Sequence, residues 1–145
     1  MTIKIGINGM GRIGRMIVRS IFENHKNKII IKDINNKSSS DICSNLLKYD
    51  SVHGKFNSQI KSGERFIKIN NQKISYTRHT KIEDIKWKNY NVDYVFECTG
   101  KFNSKDQLLS HLNNGAKKVI VSAPCRMADK TIVFGVNHKI LKRND

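Results

Sequence analysis

The sequence is poor in proline and has no long hydrophobic run. It contains one proline in 145 residues, and its apolar runs, such as 29–31 and 119–121, are far shorter than the ~20 residues that a membrane-spanning helix requires. With 38% hydrophobic and 27% charged residues, the composition excludes collagen-like and intrinsically disordered chains. The first ten residues lack the apolar stretch of a secretory signal. We therefore expect one folded domain over residues 1–145 and no membrane as a partner.

Cysteine is scarce and shows no paired pattern. Cys43, Cys98 and Cys125 are odd in number, and none belongs to a C-x-x-C motif. This excludes a disulfide scaffold and predicts a cytoplasmic protein with reduced thiols. The five histidines show no spacing typical of metal ligands, so we predict no metal site.

Acidic residues are also few, at 12 against 27 Lys and Arg, which gives a net charge of +15. Such a balance attracts nucleic acid through counterion release. The basic residues are dispersed, however, and pairs such as Lys117-Lys118 are their densest clusters. The chain also holds twenty lysines, twenty isoleucines and sixteen asparagines, all encoded by A/T-rich codons. We therefore do not expect a nucleic-acid partner, and RNA binding through the basic surface remains an alternative.

The N-terminal part reads as a strand, a turn, a helix and a second strand. Residues 3–8 alternate isoleucine with polar or small residues, as in a half-buried strand. From Arg12 onward the apolar residues follow helical spacing: Ile13, Met16, Ile17 and Ile21. The run Ile29–Ile31 is typical of a strand buried on both faces of a parallel sheet. These residues predict one βαβ unit.

Strand and helix patterns continue to alternate after this unit. A second helix is predicted after Ser38–Ser40, with one apolar face made of Ile42, Cys43, Leu46 and Leu47. A third helix is predicted from the capping box Ser104 and Gln107, with Gly115 at its C-terminal end. Further strands are predicted at 66–69 and 73–76, which form an antiparallel hairpin, and at 92–98, 119–121 and 132–136. The fold class is α/β, with a doubly wound, mainly parallel sheet and a small antiparallel hairpin.

The turn between the first strand and helix carries the pattern G-x-G-x-x-G. In a dinucleotide site, Gly9 permits the tight turn, Gly11 lets the backbone approach a pyrophosphate, and Gly14 lets the helix pack against the strand. The N–H groups around Arg12 and Ile13 then face the phosphates, and the helix dipole favours their charge. Because the pattern has only three fixed positions, its strand and helix context decides its meaning.

An acidic residue stands at the distance that a dinucleotide site requires. Asp33 lies nineteen residues after Gly14 and is predicted to follow its strand directly, where it accepts hydrogen bonds from the adenosine ribose. Its carboxylate repels a 2′-phosphate, so we expect NAD rather than NADP. Small and polar residues at the ends of later strands are candidates for the nicotinamide side: Thr99, Gly100 and Ser122.

Five ordered motifs resemble one family, the phosphorylating glyceraldehyde-3-phosphate dehydrogenases. They are IGINGMGRIGRMIVR from Ile5, LLKYDSVHGKF at 46–56, ECTGKF at 97–102, VIVSAP at 119–124 and GVNHKI at 135–140. The resemblance runs from Ile3 to about Ile140 and implies a Rossmann-type, NAD-binding domain. It implies that the backbone at Arg12 and Ile13 binds the pyrophosphate and that Asp33 binds the ribose. It further places Arg78 on the adenine side and Thr99, Gly100 and Ser122 toward the nicotinamide.

The resemblance also implies that the family's catalytic segments are not among these residues. In the family the nucleophile is a cysteine in a Ser-Cys-Thr-Thr-Asn segment beyond the GVNH motif, and this sequence reaches Asp145 without it. The general-base histidine and the main interfaces of the family's homotetramer lie later still. We predict that the 145 residues bind NAD as a truncated chain without catalysing the family's reaction, and that no catalytic residue is among them. A non-catalytic NAD-binding or interaction module is the alternative.

Overall fold

The computed structural model of the chain describes residues 2–142 and 145. Its strands are β1 (Ile3–Asn8), β2 (Ile29–Asn35), β3 (Tyr49–Asp50), β4 (Gly54–Lys55), β5 (Ile60–Gly63), β6 (Phe66–Ile69), β7 (Gln72–Thr77), β8 (Tyr94–Glu97) and β9 (Lys118–Val121). Its helices are α1 (Arg12–Ser20), α2 (Ser40–Lys48) and α3 (Lys105–Asn113). A π-helical turn, Ile21–His25, extends α1, and short 3₁₀ turns cover Ile82–Asp84, Trp87–Tyr90 and His138–Ile140. None of the helices in the described part of the chain has the length and apolar character to cross a membrane.

Seven of the strands form one sheet in the order β5-β6-β7-β2-β1-β8-β9. The five strands from β7 to β9 in that order pair in parallel, while β5, β6 and β7 pair antiparallel at one edge. This confirms the predicted α/β fold with a doubly wound, mainly parallel sheet and an antiparallel hairpin. The chain leaves β1 toward β2 on one side and returns as β8 on the other. The carboxyl ends of β1 and β8 therefore flank the point where such sheets bind ligands.

The core lies on both faces of the central strands. Ile5 and Ile7 of β1 and Ile31 and Ile34 of β2 are 0–1% exposed, as expected for strands covered on both faces. A second cluster forms around Trp87, whose ring would lie 2.5 Å from any Cβ at position 6. Gly6 is thus required by this packing, because a side chain there would displace a buried ring.

Two details of the predicted elements are wrong. Residues 132–136 form no strand: they are irregular chain that leads into a turn, and their side chains are mostly exposed. In α2, Cys43 and Leu47 are buried as predicted, but Ile42 and Leu46 are about half exposed and lie off the buried face. The apolar residues of α2 cover a wider part of the helix surface than the face that packs against the sheet. Hydrophobicity alone does not show which of these residues belong to the buried face.

Candidate functional site

A cavity of about 240 Å³ lies at the carboxyl ends of β1, β2 and β8. This is the position at which the sheet changes direction, and the three predicted site residues Gly9, Gly11 and Thr99 line the cavity. The remaining lining residues are Asn8, Asn35, Asn36, Lys37, His79, Thr80, Lys81, Ile82, Ile85, Cys98, Lys101 and Phe102.

The three glycines of the turn meet different surroundings. Gly9 has φ +97°, and a Cβ there would lie 2.8 Å from the backbone N of Thr99. A Cβ at Gly14 would lie 2.1 Å from the carbonyl oxygen of Gly9, so this glycine lets α1 pack against the turn. At Gly11 the nearest atom to a Cβ is the carbonyl oxygen of Cys98 at 4.0 Å. A side chain at Gly9 or Gly14 would therefore collide with the protein backbone, whereas a side chain at Gly11 would extend beside the cavity without a close contact.

Helix α1 begins at this open space. Gly11 is its N-cap and has no side chain to accept a hydrogen bond from the first turn. The N–H groups at the start of a helix have no carbonyl partner within it, so those around Arg12 and Ile13 are donors for an external anion. The Arg12 guanidinium lies 3.7 Å from the Asp50 carboxylate, which also accepts hydrogen bonds from the backbone N–H groups of Val52 and His53. Those two N–H groups, with smaller contributions from His53 and Arg12, lower the pKa of Asp50.

A buried carboxylate at the end of β8 organises the floor of the cavity. Glu97 is 1% exposed. Its Oε2 accepts from Asn8 Nδ2 at 2.6 Å and faces His111 Nε2 at 3.0 Å. Its Oε1 accepts from the backbone N of Thr99 at 2.8 Å and from the Thr99 hydroxyl. Glu97 thereby fixes both Asn8 and Thr99, which line the cavity.

The hydrogen-bond partners of His111 determine its tautomer. Trp87 Nε1 can only donate, and it lies 2.9 Å from Nδ1 of His111, so Nδ1 accepts. The proton of the neutral ring is therefore on Nε2 and is donated to Glu97. On the opposite side, Asn35 Nδ2 donates to Asn8 Oδ1 at 2.8 Å. One network thus runs beneath the cavity from β2 through β1 and β8 to α3.

The structure places Asp33 differently from the sequence-based expectation. Strand β2 does not end at Lys32 but continues to Asn35. Ile31 pairs with Ile5 and Asp33 with Gly6, so one residue of β2 is bulged out between these pairs. The bulge moves Asp33 one position back along β1, away from the glycine turn. The prediction that Asp33 directly follows its strand is wrong, because residue counting does not register a bulge.

Asp33 is consequently enclosed behind the cavity wall. It is 0% exposed and does not line the cavity. Its Oδ2 accepts from the Thr77 hydroxyl at 3.1 Å, while its Oδ1 is buried without a hydrogen-bond partner. Desolvation raises the pKa of Asp33 to about 6, although hydrogen bonds from Ser75, Thr77 and Ile34 oppose the shift. The role of Asp33 at a ribose stays a prediction, and the argument that its exposed charge excludes a 2′-phosphate loses its basis.

The other predicted site residues lie around the cavity rather than in it. Arg78 is exposed beyond β7, and its Nε donates to the backbone oxygen of Lys37 at 3.0 Å. Gly100, with φ +69°, lies between the lining residues Thr99 and Lys101. Ser122 follows β9, and its backbone N donates to the backbone carbonyl oxygen of Glu97 at 3.0 Å. It stands one strand further from the glycine turn than Thr99.

The cysteines differ in their environment. Cys43 and Cys98 are buried, as predicted, and burial raises the pKa of each thiol to about 11, which disfavours the nucleophilic thiolate. Cys125 is partly exposed, and its thiol contacts only the backbone oxygen of Arg126 among the hydrogen-bond partners described. Within residues 2–142 and 145, no three His, Cys, Asp or Glu side chains are grouped as metal ligands.

Sequence reasoning missed the polar residues at the end of β2 and after β8: Asn35, Asn36, Lys37 and Lys101. The polar pair Lys32-Asp33 was interpreted as the end of the strand. Ile34, which is 0% exposed, was the available signal that the buried strand continues. In the sequence Lys101 is recognised only as part of the ECTGKF motif. Its position opposite Lys37 depends on the pairing of β1 with both β2 and β8, which the sequence does not show.

Comparison with known proteins identifies relatives of this chain. A protein-family model described as the NAD binding domain of glyceraldehyde 3-phosphate dehydrogenase matches residues 3–105. The glyceraldehyde-3-phosphate dehydrogenase of Cereibacter sphaeroides is 43% identical over 145 residues, which cover 100% of this chain and 43% of that protein. Glyceraldehyde-3-phosphate dehydrogenase 2 of Bacillus subtilis is 39% identical over 137 residues, 94% of this chain and 40% of that protein. The chain spans about two fifths of the length of the curated relatives it matches.

Proposed function

This chain belongs to the glyceraldehyde-3-phosphate dehydrogenase family and contains its NAD-binding domain, and on that premise we propose that the cavity beside the glycine turn is where NAD binds. The glycine turn supplies backbone donors for the pyrophosphate, from the N–H groups around Arg12 and Ile13. Asn8 and Thr99, both held by Glu97, form the wall on which the rest of the dinucleotide lies.

The open space at Gly11 is the observation that carries this proposal. A backbone can approach a phosphate closely only where no side chain intervenes, and at Gly11 a Cβ would point into free space rather than into protein. The neighbouring glycines are explained by packing, whereas packing does not explain Gly11. The residues of the glycine turn therefore fit a pyrophosphate, because the turn offers the positive end of a helix, unpaired N–H donors and room for an anion.

The remaining predicted residues enter the proposal with roles that suit their positions. Thr99 and Gly100 approach the nicotinamide side, and Ser122 supports it from the next strand. Arg78 holds the backbone of Lys37 on the adenosine side. Asp33 lies behind the cavity wall and reaches the wall residue Asn35 through Thr77, whose hydroxyl is 3.1 Å from both Asp33 Oδ2 and Asn35 Oδ1. We propose that Asp33 positions the end of β2 rather than contacting the ribose.

We also propose that a protein containing this domain oxidises glyceraldehyde 3-phosphate with NAD and phosphate, in the cytoplasm and as a homotetramer, as the family resemblance implies. When bound, NAD would supply the hydride acceptor for that oxidation, and the residues around the glycine turn would hold it. The 145 residues themselves contribute cofactor binding, and assayed alone they are expected to form no NADH from glyceraldehyde 3-phosphate, NAD and phosphate. NADH formation by the pure chain at the rate of an intact enzyme would contradict this division of roles.

Titration calorimetry of the 145-residue chain with NAD tests the binding proposal. The variant Gly11→Val adds a side chain beside the cavity whose Cβ would approach no protein atom closer than the Cys98 oxygen at 4.0 Å, so we expect its NAD affinity to fall at least about tenfold. Its melting temperature should drop by only a few degrees, because a valine at an N-cap costs roughly 1 kcal/mol.

A matched control separates capping from cofactor binding. Ser39→Ala removes the hydroxyl that caps α2, and because Ser39 does not line the cavity this variant should leave NAD affinity unchanged. Equal NAD affinity of the Gly11→Val variant and the unmodified chain would overturn the assignment of the pyrophosphate to the glycine turn. A folded chain that gives no binding heat at millimolar NAD would overturn the function itself.

A further inference from the structure

The cavity has basic side chains and no acidic one. Among its fifteen lining residues are Lys37, Lys81 and Lys101, and none is Asp or Glu. Of the carboxyl groups close by, Glu97 is beneath the floor and 1% exposed, and Asp33 is behind the wall and 0% exposed. The cavity therefore presents positive charge that no lining carboxylate neutralises.

Two of these lysines approach each other across the cavity opening. Lys37 follows β2 and Lys101 follows β8, and both are exposed. The ammonium group of Lys101 is close enough to lower the pKa of Lys37. The carbonyl of Lys37 is further held by the exposed guanidinium of Arg78, which adds a third cation on that side. Like charges at such a separation repel, and an anion placed between them relieves the repulsion.

The end of β2 carries amides where a carboxylate was expected. The bulge in β2 withdraws Asp33, so Asn35 and Asn36 stand next to the glycine turn. Asn35 is committed to protein, since its side chain bonds Asn8, Thr77 and His79. Asn36 lines the cavity, and its Oδ1 accepts from the backbone N of Met10 at 3.2 Å. An amide there can bond a ribose hydroxyl and does not repel a phosphate on it.

We propose that the adenosine end of this cavity accepts a 2′-phosphate between Lys37 and Lys101, so that NADP binds at least as tightly as NAD. The inference rests on the proposed NAD site and concerns its selectivity. It requires Lys37 and Lys101 as the cations, Asn36 as the neutral residue beside the ribose, and Asp33 kept out of the cavity by its buried position inside β2. Lysine is suited to the task as a compact charge with three donors for phosphate oxygens.

Calorimetric titration of the 145-residue chain with NAD and with NADP tests the proposal directly. The expected ratio of the NADP dissociation constant to the NAD dissociation constant is about one or lower. Titration with 2′,5′-ADP and 5′-AMP, which differ only by the 2′-phosphate, isolates the adenosine end, and 2′,5′-ADP should bind more tightly. 5′-ADP carries its second phosphate at the pyrophosphate position instead, so equal affinity of 5′-ADP and 2′,5′-ADP would indicate attraction by charge and not recognition of the 2′-phosphate.

Two variants make the site less favourable for a 2′-phosphate. Lys37→Glu replaces a cation by an anion, and Asn36→Asp places a carboxylate beside the ribose. Each should weaken NADP at least about tenfold while changing NAD affinity by no more than about threefold. Lys68→Glu makes the same charge change on exposed β6, away from the cavity, and should alter both nucleotides by less than about twofold.

The outcomes separate this inference from the function on which it rests. NAD binding with NADP at least about tenfold weaker would overturn the inference and leave the NAD site standing. Equal loss of NADP affinity in Lys37→Glu and Lys68→Glu would also overturn it, because net charge and not the cavity would then be responsible. Absence of binding by either nucleotide would overturn both proposals.

Discussion

Two carboxyl groups beside the cavity, those of Glu97 and Asp33, are buried to the same extent but differ in the number of hydrogen-bond donors that face them. Both side chains belong to residues that are 0–1% exposed. The oxygens of Glu97 face four donors, from Asn8, His111 and the backbone and hydroxyl of Thr99. Asp33 has the Thr77 hydroxyl on one oxygen and no partner on the other. Burial alone therefore does not determine what a carboxyl group contributes to the fold.

The difference follows from where each strand ends. Glu97 is the last residue of β8, so the loop that begins at Thr99 folds back over its side chain and donates to it. Asp33 is two residues short of the end of β2, and its neighbours in the sheet have committed their backbone donors to the strand ladder. A carboxylate with a full set of donors stabilises the folded state, whereas one with an orphaned oxygen is costly when ionised.

Removing the satisfied carboxylate should have the largest effect. Glu97→Ala leaves donors of Asn8, His111 and Thr99 buried without an acceptor, and we expect the free energy of unfolding to fall by about 3–5 kcal/mol. Urea denaturation measures this loss. Glu97→Gln keeps the shape but turns one acceptor into a donor, so it should lose about half as much. A cost below about 1 kcal/mol for Glu97→Ala would show that the network carries little stability.

Replacing the unsatisfied carboxyl should have the opposite sign. The pKa of Asp33 is about 6 in the folded protein against an ordinary value of 3.8. The folded state therefore holds its proton longer than the unfolded chain, and stability declines as the pH rises from about 4 through about 6. Asp33→Asn is uncharged throughout, so at about pH 8 it should raise the free energy of unfolding by about 3 kcal/mol, at about 1.4 kcal/mol for each unit of pKa shift.

Urea titrations at two pH values check this sign. At about pH 4 the advantage of Asp33→Asn should fall close to zero, because Asp33 is then protonated in the folded protein. Asp106→Asn, an exposed residue in the first turn of α3, serves as the control for removing an acid and should show no such gain at high pH. Destabilisation by Asp33→Asn at high pH would mean that the ionised carboxylate is stabilised after all.

The features that the sequence predicts well are local. The glycine turn follows from three residues whose spacing, preceding strand and following helix are all visible within residues 3–21. The second helix was also predicted correctly after Ser38–Ser40, and of these Ser39 caps it by accepting from the N–H of Ile42. In α3 the predicted capping box does not form: Gln107 accepts from Asn103 N and the Ser104 hydroxyl, and the Ser104 side chain caps no backbone N–H.

The features that it does not predict depend on pairing between distant strands. The bulge in β2 is a mismatch of register with β1 that moves Asp33 by one position, and together with the continuation of the strand to Asn35 it leaves Asn36 rather than Asp33 at the cavity. The network of Glu97 includes a hydrogen bond to Asn8, 89 positions away, and another to His111. Neither leaves a periodic signal, because a register is a property of two strands together and not of either sequence.

The smallest expected effect lies at Thr77, where the difference between the two carboxyl groups can be enlarged by removing the donor to Asp33. Thr77→Val deletes the hydroxyl that donates to Asp33, so at about pH 8 it should cost about 1–2 kcal/mol, as a hydrogen bond to a charged group does. In the Asp33→Asn background the bond is between neutral groups, and the cost should fall to about 0.5–1 kcal/mol. A double-mutant cycle by urea denaturation at both pH values measures this coupling. The coupling should vanish near pH 4, where Asp33 is uncharged in either background. A coupling independent of pH would show that Thr77 supports Asn35 and the end of β2 and contributes nothing to the ionised Asp33.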